Sequence, residues 1–494
     1  MWFLPDGSVT YTPAPVPPGS TLPPPAPFPP PGPFPPPGPF PPPGPFPPPW
    51  PGPRRRSVAL RVSLAVVAVL AVCLGSGTWA AVELGQRIDR GNRAPAGSAQ
   101  DASRRPEPPR SPAPGDPSHV RTAWVSAQID AALADQAQAL LRGDERAFVA
   151  VGEPGNTAVA SELRRRYRSL RALRVAAWQP VVANGPSEVT DGAARGQWQA
   201  TVSLRHCFAV TGCQTDGLLV GTRWTDRGGK AYLVRIERSG RTEQGPRPWE
   251  VSDLRGAAGA RTVVATTARY ASRLPLLLRE AERAAGVADR YVVGSARPDV
   301  YRIYLAGSDE WARWYGADRP PWAAGYAIGV SGRRIDVVLN VLRTPDIFLD
   351  DILRHEMTHA ASLIGARYQN EANWWLMEGL ADHAMLHGQP AIRHDALVSG
   401  AVRRFIRLGR WDGKVAVRAP DEDATMSDAG ARYGIAFLAV RRLSERFGDA
   451  KMIAFFEAVV HNGHTLDSAS KLAFSTEWAG VQADCVRYIR DRAT

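Results

Sequence analysis

The sequence predicts an α+β fold carried behind a single-pass membrane anchor. An almost uncharged apolar run, Val62–Val82, has the length of a helix that crosses a bilayer. Between residues 119 and 251, helical periodicity gives way to alternating strand patterns. From residue 258 to residue 494 the pattern is mostly helical, with enough strand candidates for a small sheet. Because 494 residues exceed one ordinary core, we expect two or more folded units.

The first 53 residues are rich in proline and repeat the sequence Gly-Pro-Phe-Pro-Pro-Pro, which spaces Phe28, Phe34, Phe40 and Phe46 six apart. Proline has no amide donor, so this segment cannot build a core and is expected to sample polyproline II. Two interpretations stay open. The segment is either a disordered cytoplasmic tail or a docking site for a polyproline-binding partner.

Residues 54–82 combine a basic flank with the apolar run. Arg54, Arg55, Arg56 and Arg61 precede the run, and the positive-inside rule keeps them in the cytoplasm. The N terminus is then cytoplasmic, and the domains after residue 82 lie outside the cell membrane. A cleaved signal peptide is the alternative, since Ala80 and Ala81 follow the run, but signal peptides have shorter apolar cores and seldom begin so far into a chain. Residues 83–118, rich in Pro, Arg, Ser and Ala, predict a disordered linker.

The formal charge of +12 does not predict nucleic-acid binding. Arginine supplies most of the positive charge and is scattered along the chain, whereas a nucleic-acid surface gathers its charge in one tract or face. We therefore expect no nucleic-acid partner.

Residues 119–251 predict a small α+β domain. The first helix keeps its apolar residues on one face from Val120 to Leu141, and a second helix runs from Glu145 to Val151. The strand candidates are Leu173–Val182, Gln197–Phe208, Leu218–Thr225 and Lys230–Glu237. This order, with the phrase from Leu140 to Phe148, resembles nuclear-transport-factor-2-like (NTF2-like) domains. The resemblance implies an α+β cone and no particular activity.

The cysteines are too few for a disulfide scaffold. Cys207 and Cys213 flank a short segment that can turn between two strands, and an extracytoplasmic domain is oxidising, so we expect a disulfide between them. Two buried thiols are the alternative. Cys73 lies in the apolar run, and Cys485 is expected to be a small buried apolar residue.

The region 258–494 is expected to open with a long helix from Thr262 to Ala285. Strand candidates follow at Val300–Ala306, Gly325–Val330 and Arg334–Val341. A helix capped by Thr344, with Pro345 in its first turn, should then run to Gly365. The next predicted helix covers Ala372 to His387.

The first of these last two helices carries His355-Glu356-Met357-Thr358-His359, an HExxH pentapeptide. Residues four apart on a helix share a face, so His355 and His359 can point two imidazoles at one zinc ion, with Glu356 beside it. Glu378 on the next helix can complete the site, which leaves one coordination position for water. An accidental pair of exposed histidines is one alternative. A structural zinc is another, but such sites favour four protein ligands and several cysteines.

Over about residues 300–460 these motifs resemble the gluzincin metallopeptidases, which include thermolysin-like enzymes and the aminopeptidase N and leukotriene A4 hydrolase group. The resemblance implies that His355 and His359 are zinc ligands, Glu378 is the third ligand and Glu356 is the general base. It also implies that Asp382 holds a histidine ligand by its other ring nitrogen. A metzincin is excluded, because Ser362 and Gly365 stand where that group needs Gly and a third His.

The stretch Tyr433 to Leu438 resembles the gluzincin helix whose opening tyrosine supports the transition state. By this resemblance Tyr433 donates a hydrogen bond to the oxyanion; an ordinary aromatic residue at a helix start is the alternative. In gluzincins a strand placed like Gly325–Val330 pairs with the substrate backbone. No Gly-Ala-Met-Glu-Asn-like strand precedes the motif, which favours an endopeptidase. His383 and His387 are expected to be rim or structural residues.

Together these features predict a membrane-anchored, extracytoplasmic zinc peptidase that acts on peptides or proteins. The alternative is a catalytically inactive or latent peptidase fold that serves as a binding or scaffold protein of the cell envelope. Bound zinc together with Glu356-dependent hydrolysis would distinguish the two.

Overall fold

A computed structural model describes residues 109–210, 217–240, 245–294, 297–316, 323–389, 392–421 and 424–493, without the side chains of residues 392–397 and 399. The proline-rich tail (1–53), the basic flank and apolar run (54–82) and the linker up to residue 108 lie outside the described residues. Within the described ranges, no helix is both long enough and apolar enough to cross a membrane.

The first part of the described chain consists of three helices and an antiparallel sheet. The helices are α1 (Ser118–Arg142), α2 (Glu145–Val149) and α3 (Thr157–Ala172), and the strands are β1 (Val175–Glu188), β2 (Trp198–Phe208), β3 (Leu219–Arg227) and β4 (Lys230–Ile236). The strands pair in chain order, and Gly228 and Gly229 turn between β3 and β4 with positive φ. Helices followed by antiparallel strands are the predicted order. The resemblance to an NTF2-like domain stays a prediction.

Helix α3 is absent from the predicted elements because arginines interrupt its apolar stripe. Its buried apolar residues are Val159, Leu163, Tyr167 and Leu170. The arginines between them bind the chain that follows the first sheet. Arg165 donates to the carbonyl oxygen of Ser252 at 3.0 Å, and Arg168 pairs with Asp253 at 3.0 Å.

A mixed sheet of five strands forms the second layer of the described chain. Its members are β5 (Leu254–Ala258), β6 (Thr262–Thr267), β7 (Tyr301–Ala306), β8 (Gly325–Ser331) and β9 (Arg334–Asn340), with the short helix α4 (Pro248–Val251) before them. The spatial order is β5-β6-β7-β9-β8. The β6–β7 and β7–β9 pairs are parallel, whereas the outer pairs are antiparallel. Strand β8 is therefore an edge strand.

The predicted long helix from Thr262 to Ala285 is wrong in its first half. Thr262–Thr267 forms strand β6, a 3-10 turn covers Ala268–Arg273, and helix α5 begins only at Leu274 and ends at Ala288. The sequence Thr-Val-Val-Ala-Thr-Thr is rich in β-branched residues, which favour strands. Pro275 in the first turn of α5 fits a helix start and would break a helix interior.

The remaining elements of the described chain are mainly helices. They are α6 (Ser308–Arg313), α7 (Leu349–Ser362), α8 (Trp374–Met385), α9 (Ile392–Arg407), α10 (Met426–Phe447), α11 (Asp449–Phe456), α12 (Leu466–Phe474) and α13 (Trp478–Ala493). The HExxH motif lies on α7 and Glu378 on α8, as predicted. The α+β class predicted from the sequence is confirmed.

The two sheets share a hydrophobic core. One cluster joins Trp224 of the first sheet to Tyr304 and Tyr326 of the second. On the other face of the second sheet, helix α5 packs with the apolar side of α7, which includes Ile352 and Met357. The C-terminal helices form a third cluster around α8 and α10. Helix α7 is thus held against the sheet while its histidines face α8.

Cys207 is disulfide-bonded. Its predicted partner, Cys213, lies outside the described residues, so the Cys207–Cys213 pairing stays a prediction. Cys485 is a free thiol that is 1% exposed, as expected of a small buried apolar residue.

Candidate metal centre

Helix α7 is fixed at both ends by contacts from distant parts of the chain. Thr344 does not cap it, contrary to prediction, because its hydroxyl donates to the carbonyl oxygen of Ala324 at 3.0 Å. A 3-10 turn at Asp346–Phe348 leads into the helix instead. At the other end, the ring of His461 lies with Nε2 2.7 Å from the carbonyl oxygen of Ser362. These contacts set the rotation of α7 and hence the direction in which its histidines point.

Three buried side chains converge on one point between α7 and α8. Nε2 of His355 and Nε2 of His359 are 3.2 Å apart, and Oε2 of Glu378 lies 3.3 Å from each of them. The three residues are 1%, 4% and 6% exposed. Among the described residues they are the one group of His, Cys, Asp and Glu side chains that can hold a metal ion.

The size of this triangle fits zinc. Tetrahedral zinc holds nitrogen and oxygen ligands at about 2.0–2.1 Å, which separates any two ligand atoms by about 3.3–3.4 Å. The observed edges of 3.2–3.3 Å therefore match one face of a tetrahedron centred on zinc. Two imidazoles and one carboxylate are also a donor set that zinc accepts while keeping a fourth position open.

Asp382 selects the ring nitrogen that His355 presents to this point. Its Oδ1 lies 2.9 Å from Nδ1 of His355, on the side of the ring away from the triangle. A proton on Nδ1 that is donated to Asp382 leaves Nε2 with a free lone pair for a metal. Among the described residues, Nδ1 of His359 has no such partner. The two histidines are therefore supported unequally.

The electrostatics of the triangle favour a positive charge at its centre. Burial opposes charge on His355, yet its hydrogen bonds with Asp382 and Glu378 hold its pKa well above the usual value. Burial alone would raise the pKa of Glu378, but the imidazoles of His359 and His355 hold it at about 2. Both shifts mean that this group of atoms attracts a cation, which is a proton when no metal is bound.

Glu356 lies beside the triangle without belonging to it. The residue is 2% exposed, and burial raises the pKa of its carboxyl to about 7, although His355 and His359 oppose the shift. Gly325, the first residue of the edge strand β8, makes room for this side chain. A Cβ atom on Gly325 would lie 2.8 Å from Oε1 of Glu356. The sequence gives no signal for this role of Gly325, because Gly325 and Glu356 are 31 positions apart in the chain.

Tyr433 lies inside a helix rather than at its start. Helix α10 begins at Met426, so the predicted placement of Tyr433 at a helix opening is wrong. The residue is 5% exposed, and its ring meets the edge of the Trp374 ring at a centroid distance of 4.8 Å. Trp374 stands one helical turn before Glu378 on α8. The packing thus brings Tyr433 to the helix that carries Glu378.

Helices α8 and α10 approach each other closely because Gly379 has no side chain. A Cβ atom at this position would lie 2.5 Å from the carbonyl oxygen of Ala436, which is backbone and cannot yield easily. Gly379 follows Glu378, and Ala436 lies one turn after Tyr433. The close approach therefore fixes the relative position of these two candidate site residues.

His383 and His387, on the same helix, have other partners. Nε2 of His383 lies 3.3 Å from Oδ1 of Asp449, and Nδ1 of His387 lies 3.2 Å from the hydroxyl of Tyr291. Neither belongs to the converging triangle. These contacts agree with the prediction that they are rim or structural residues.

No family model matches the sequence, and no curated protein matches it. Solved structures with distant similarity include M1 zinc metallopeptidases. A mutant of a two-domain M1 enzyme bound to L-arginine shares 18% identity at a TM-score of 0.31, over 55% of this chain and 58% of that one. The M1 enzyme of Deinococcus radiodurans gives 15% and 0.31, over 64% and 62%. Yeast LTA4 hydrolase in complex with bestatin gives 18% and 0.30, over 45% and 35%.

The chain spans less than two thirds of each of these structures. At such identities and TM-scores the similarity does not assign a family.

Proposed function

We propose that this protein is a zinc-dependent peptidase that hydrolyses peptide bonds with Glu356 as the general base. The observation that carries the proposal is the triangle of His355, His359 and Glu378, whose edges of 3.2–3.3 Å fit zinc. A buried carboxylate that is not a ligand stands beside this triangle, which is where a base must lie to deprotonate water held there.

Each neighbouring residue has a separate task in this proposal. When bound, zinc polarises the scissile carbonyl and acidifies water. Glu356 accepts the proton of the attacking water and passes it to the leaving amine. Asp382 keeps the ring of His355 in the tautomer and orientation that bind metal. Tyr433 donates to the developing oxyanion.

The edge strand β8 is the proposed contact for the substrate backbone. Among the described strands it pairs with β9 alone, and its first residue lies beside Glu356. The amide of Asn340 donates to the carbonyl of Ala324, so the alternation of an antiparallel ladder points the backbone groups of Gly325, Ala327 and Gly329 away from β9. An added peptide strand would bind these groups. Residues 325–330 are buried, so such binding requires a rearrangement that uncovers the edge.

We further propose that the enzyme is an endopeptidase and that it acts outside the cell membrane. The absence of a Gly-Ala-Met-Glu-Asn-like strand before the motif supports the first part. The basic flank before Val62–Val82 supports the second, with the proline-rich tail left in the cytoplasm for a polyproline-binding partner.

The test compares the zinc-loaded full-length protein with its Glu356→Gln variant on a mixed peptide library. We expect cleavage by the wild type at internal bonds, loss of cleavage in the variant and an equal zinc content in both. Cleavage that persists in Glu356→Gln would exclude Glu356 as the base. Zinc bound in both proteins without cleavage by either would favour the inactive or latent scaffold.

A further inference from the structure

A groove on the outer face of the first sheet, far along the chain from the metal centre, has features of a second binding site. Its volume is about 660 Å³, and it lies between the β1–β2 connection, the start of α3 and strands β3 and β4. Polar lining comes from Asn156, Asp191, Arg223 and Arg235, and apolar lining from Val189 and Val234.

Two arginines lie side by side in the wall of this groove, and no acidic side chain of the described residues pairs with them. Arg223 on β3 is directly opposite Arg235 on β4 in the antiparallel register. Like charges at directly opposed positions destabilise a sheet. Asp191 and Glu237 are the nearby acids along the same surface, and among the described residues neither forms an ion pair with either arginine. The sheet therefore tolerates a repulsion that no described side chain offsets.

The guanidinium of Arg223 also has a hydrogen-bond donor without an acceptor. Its Nε is buried and has no hydrogen-bond partner among the described residues. A buried donor without an acceptor is unfavourable, because it has lost its hydrogen bond to water and has formed none within the protein. A small shift of the Arg223 side chain toward a ligand in the groove would give this nitrogen an acceptor.

Helix α3 adds a favourable potential for an anion. Its N-cap residue Asn156 and the following Ala158 line the groove, so the positive end of a sixteen-residue helix is directed there. The side chain of Asn156 is already used, since its oxygen accepts from the amide of Val159 and its nitrogen donates to the carbonyl of Val234. It shapes the wall of the groove.

We propose that this groove binds a small organic oxyanion, a phosphate or carboxylate with an apolar body. The oxyanion lies between Arg223 and Arg235, whose planar guanidinium groups can each donate two hydrogen bonds to it. The apolar body lies over Val189 and Val234. The site does not depend on the zinc centre, so it can be tested apart from the proposed peptidase activity.

The experiment measures thermal unfolding and calorimetric binding of the full-length protein with inorganic phosphate and with phenyl phosphate. We expect both anions to raise the melting temperature, with phenyl phosphate binding at least threefold more tightly because its ring covers the apolar wall. Arg223→Gln and Arg235→Gln should each lower the affinity at least tenfold. Without an anion, these variants should unfold at or above the wild-type temperature, since the repulsion is relieved.

The matched control is Arg205→Gln, which removes the same charge from an exposed position on β2 of the same sheet, outside the groove. It should bind both anions as the wild type does. Equal losses in all three variants would reduce the effect to net charge and overturn the proposal. It would also be overturned if neither anion shifted the wild type, or if only vesicles of phosphatidylserine bound in an Arg223-dependent way.

Discussion

Asp382 and His355 face each other across the two helices that build the metal centre, with Oδ1 of the first 2.9 Å from Nδ1 of the second. Both side chains are buried, at 7% and 1% exposure. The contact ties the tautomer of a metal-binding imidazole to a carboxylate one turn after Glu378. It makes the geometry of the site depend on how α7 and α8 pack.

The first prediction concerns this contact. Asp382→Ala removes the acceptor of the Nδ1 proton, so His355 is free to rotate or to change its tautomer. We expect the affinity for zinc to fall about 10–100-fold, as is typical when such an outer partner is lost. Competition with a chromophoric zinc chelator measures the affinity directly.

Asp449→Ala is the control for the same helix. Asp449 accepts from His383, which lies next to Asp382 in the chain but takes no part in the triangle. Its loss should leave the zinc affinity unchanged. An unchanged affinity in Asp382→Ala, or an equal fall in both variants, would show that Asp382 does not support the ligand.

The second prediction uses metal removal to distinguish the proposed general base, Glu356, from the metal ligands. A metal that binds only the folded protein stabilises it by about 4 kcal/mol at a thousandfold excess over its Kd. We expect a chelator to lower the melting temperature of the wild type and of Glu356→Gln by similar amounts. His359→Ala should show no such shift, because one corner of the triangle is missing. A chelator shift that disappears in Glu356→Gln would make Glu356 a ligand instead.

The convergence of His355, His359 and Glu378 could be predicted from the sequence because the information for it is local. Two histidines four apart and two acids four apart specify faces of single helices, and both helices formed where expected. The contacts that hold the two ends of α7 were not predictable in this way. Threonine is a common helix cap, yet the hydroxyl of Thr344 donates to the carbonyl oxygen of Ala324, just before β8. A competing tertiary partner overrode a local preference.

The start of the helix that carries Tyr433 was also not predictable from the sequence. The resemblance of the stretch Tyr433 to Leu438 to a gluzincin helix placed Tyr433 at a helix opening. In the structure Thr425 caps the helix by accepting from the amide of Asp428, which moves the start back by two turns. The hydrophobic core shared by the two sheets could not be predicted either, because sequence patterns do not show which buried faces pack together.

The third prediction tests the space that Gly325 leaves for the base. Gly325→Ala places a Cβ atom 2.8 Å from Oε1 of Glu356, closer than van der Waals contact, so the carboxylate must move. We expect kcat to fall at least tenfold, about 1.4 kcal/mol in the barrier, while zinc affinity stays within twofold. Peptide cleavage and zinc competition on the same preparation measure the two quantities.

Gly286→Ala serves as the comparison for Gly325, because a Cβ atom there meets nothing within 4 Å. It should change neither activity nor zinc binding. If Gly325→Ala kept full activity, the close contact with Glu356 would be irrelevant to the proposed proton transfer.

The fourth prediction concerns the approach of α8 to α10. In Gly379→Ala the new Cβ atom would stand 2.5 Å from the carbonyl oxygen of Ala436, so the two helices must separate. Overpacking of this kind costs about 1–3 kcal/mol of unfolding free energy, which denaturant titration can measure. The separation also moves Glu378 away from Tyr433, so activity should fall further than the loss of folded protein explains.

Gly480→Ala on α13, where a Cβ atom meets nothing within 4 Å, should instead stabilise the protein slightly, since alanine is the better helix former. Equal stability of the two variants would mean that α8 and α10 tolerate a wider spacing, and the rigid coupling of Glu378 to Tyr433 would then have to be abandoned.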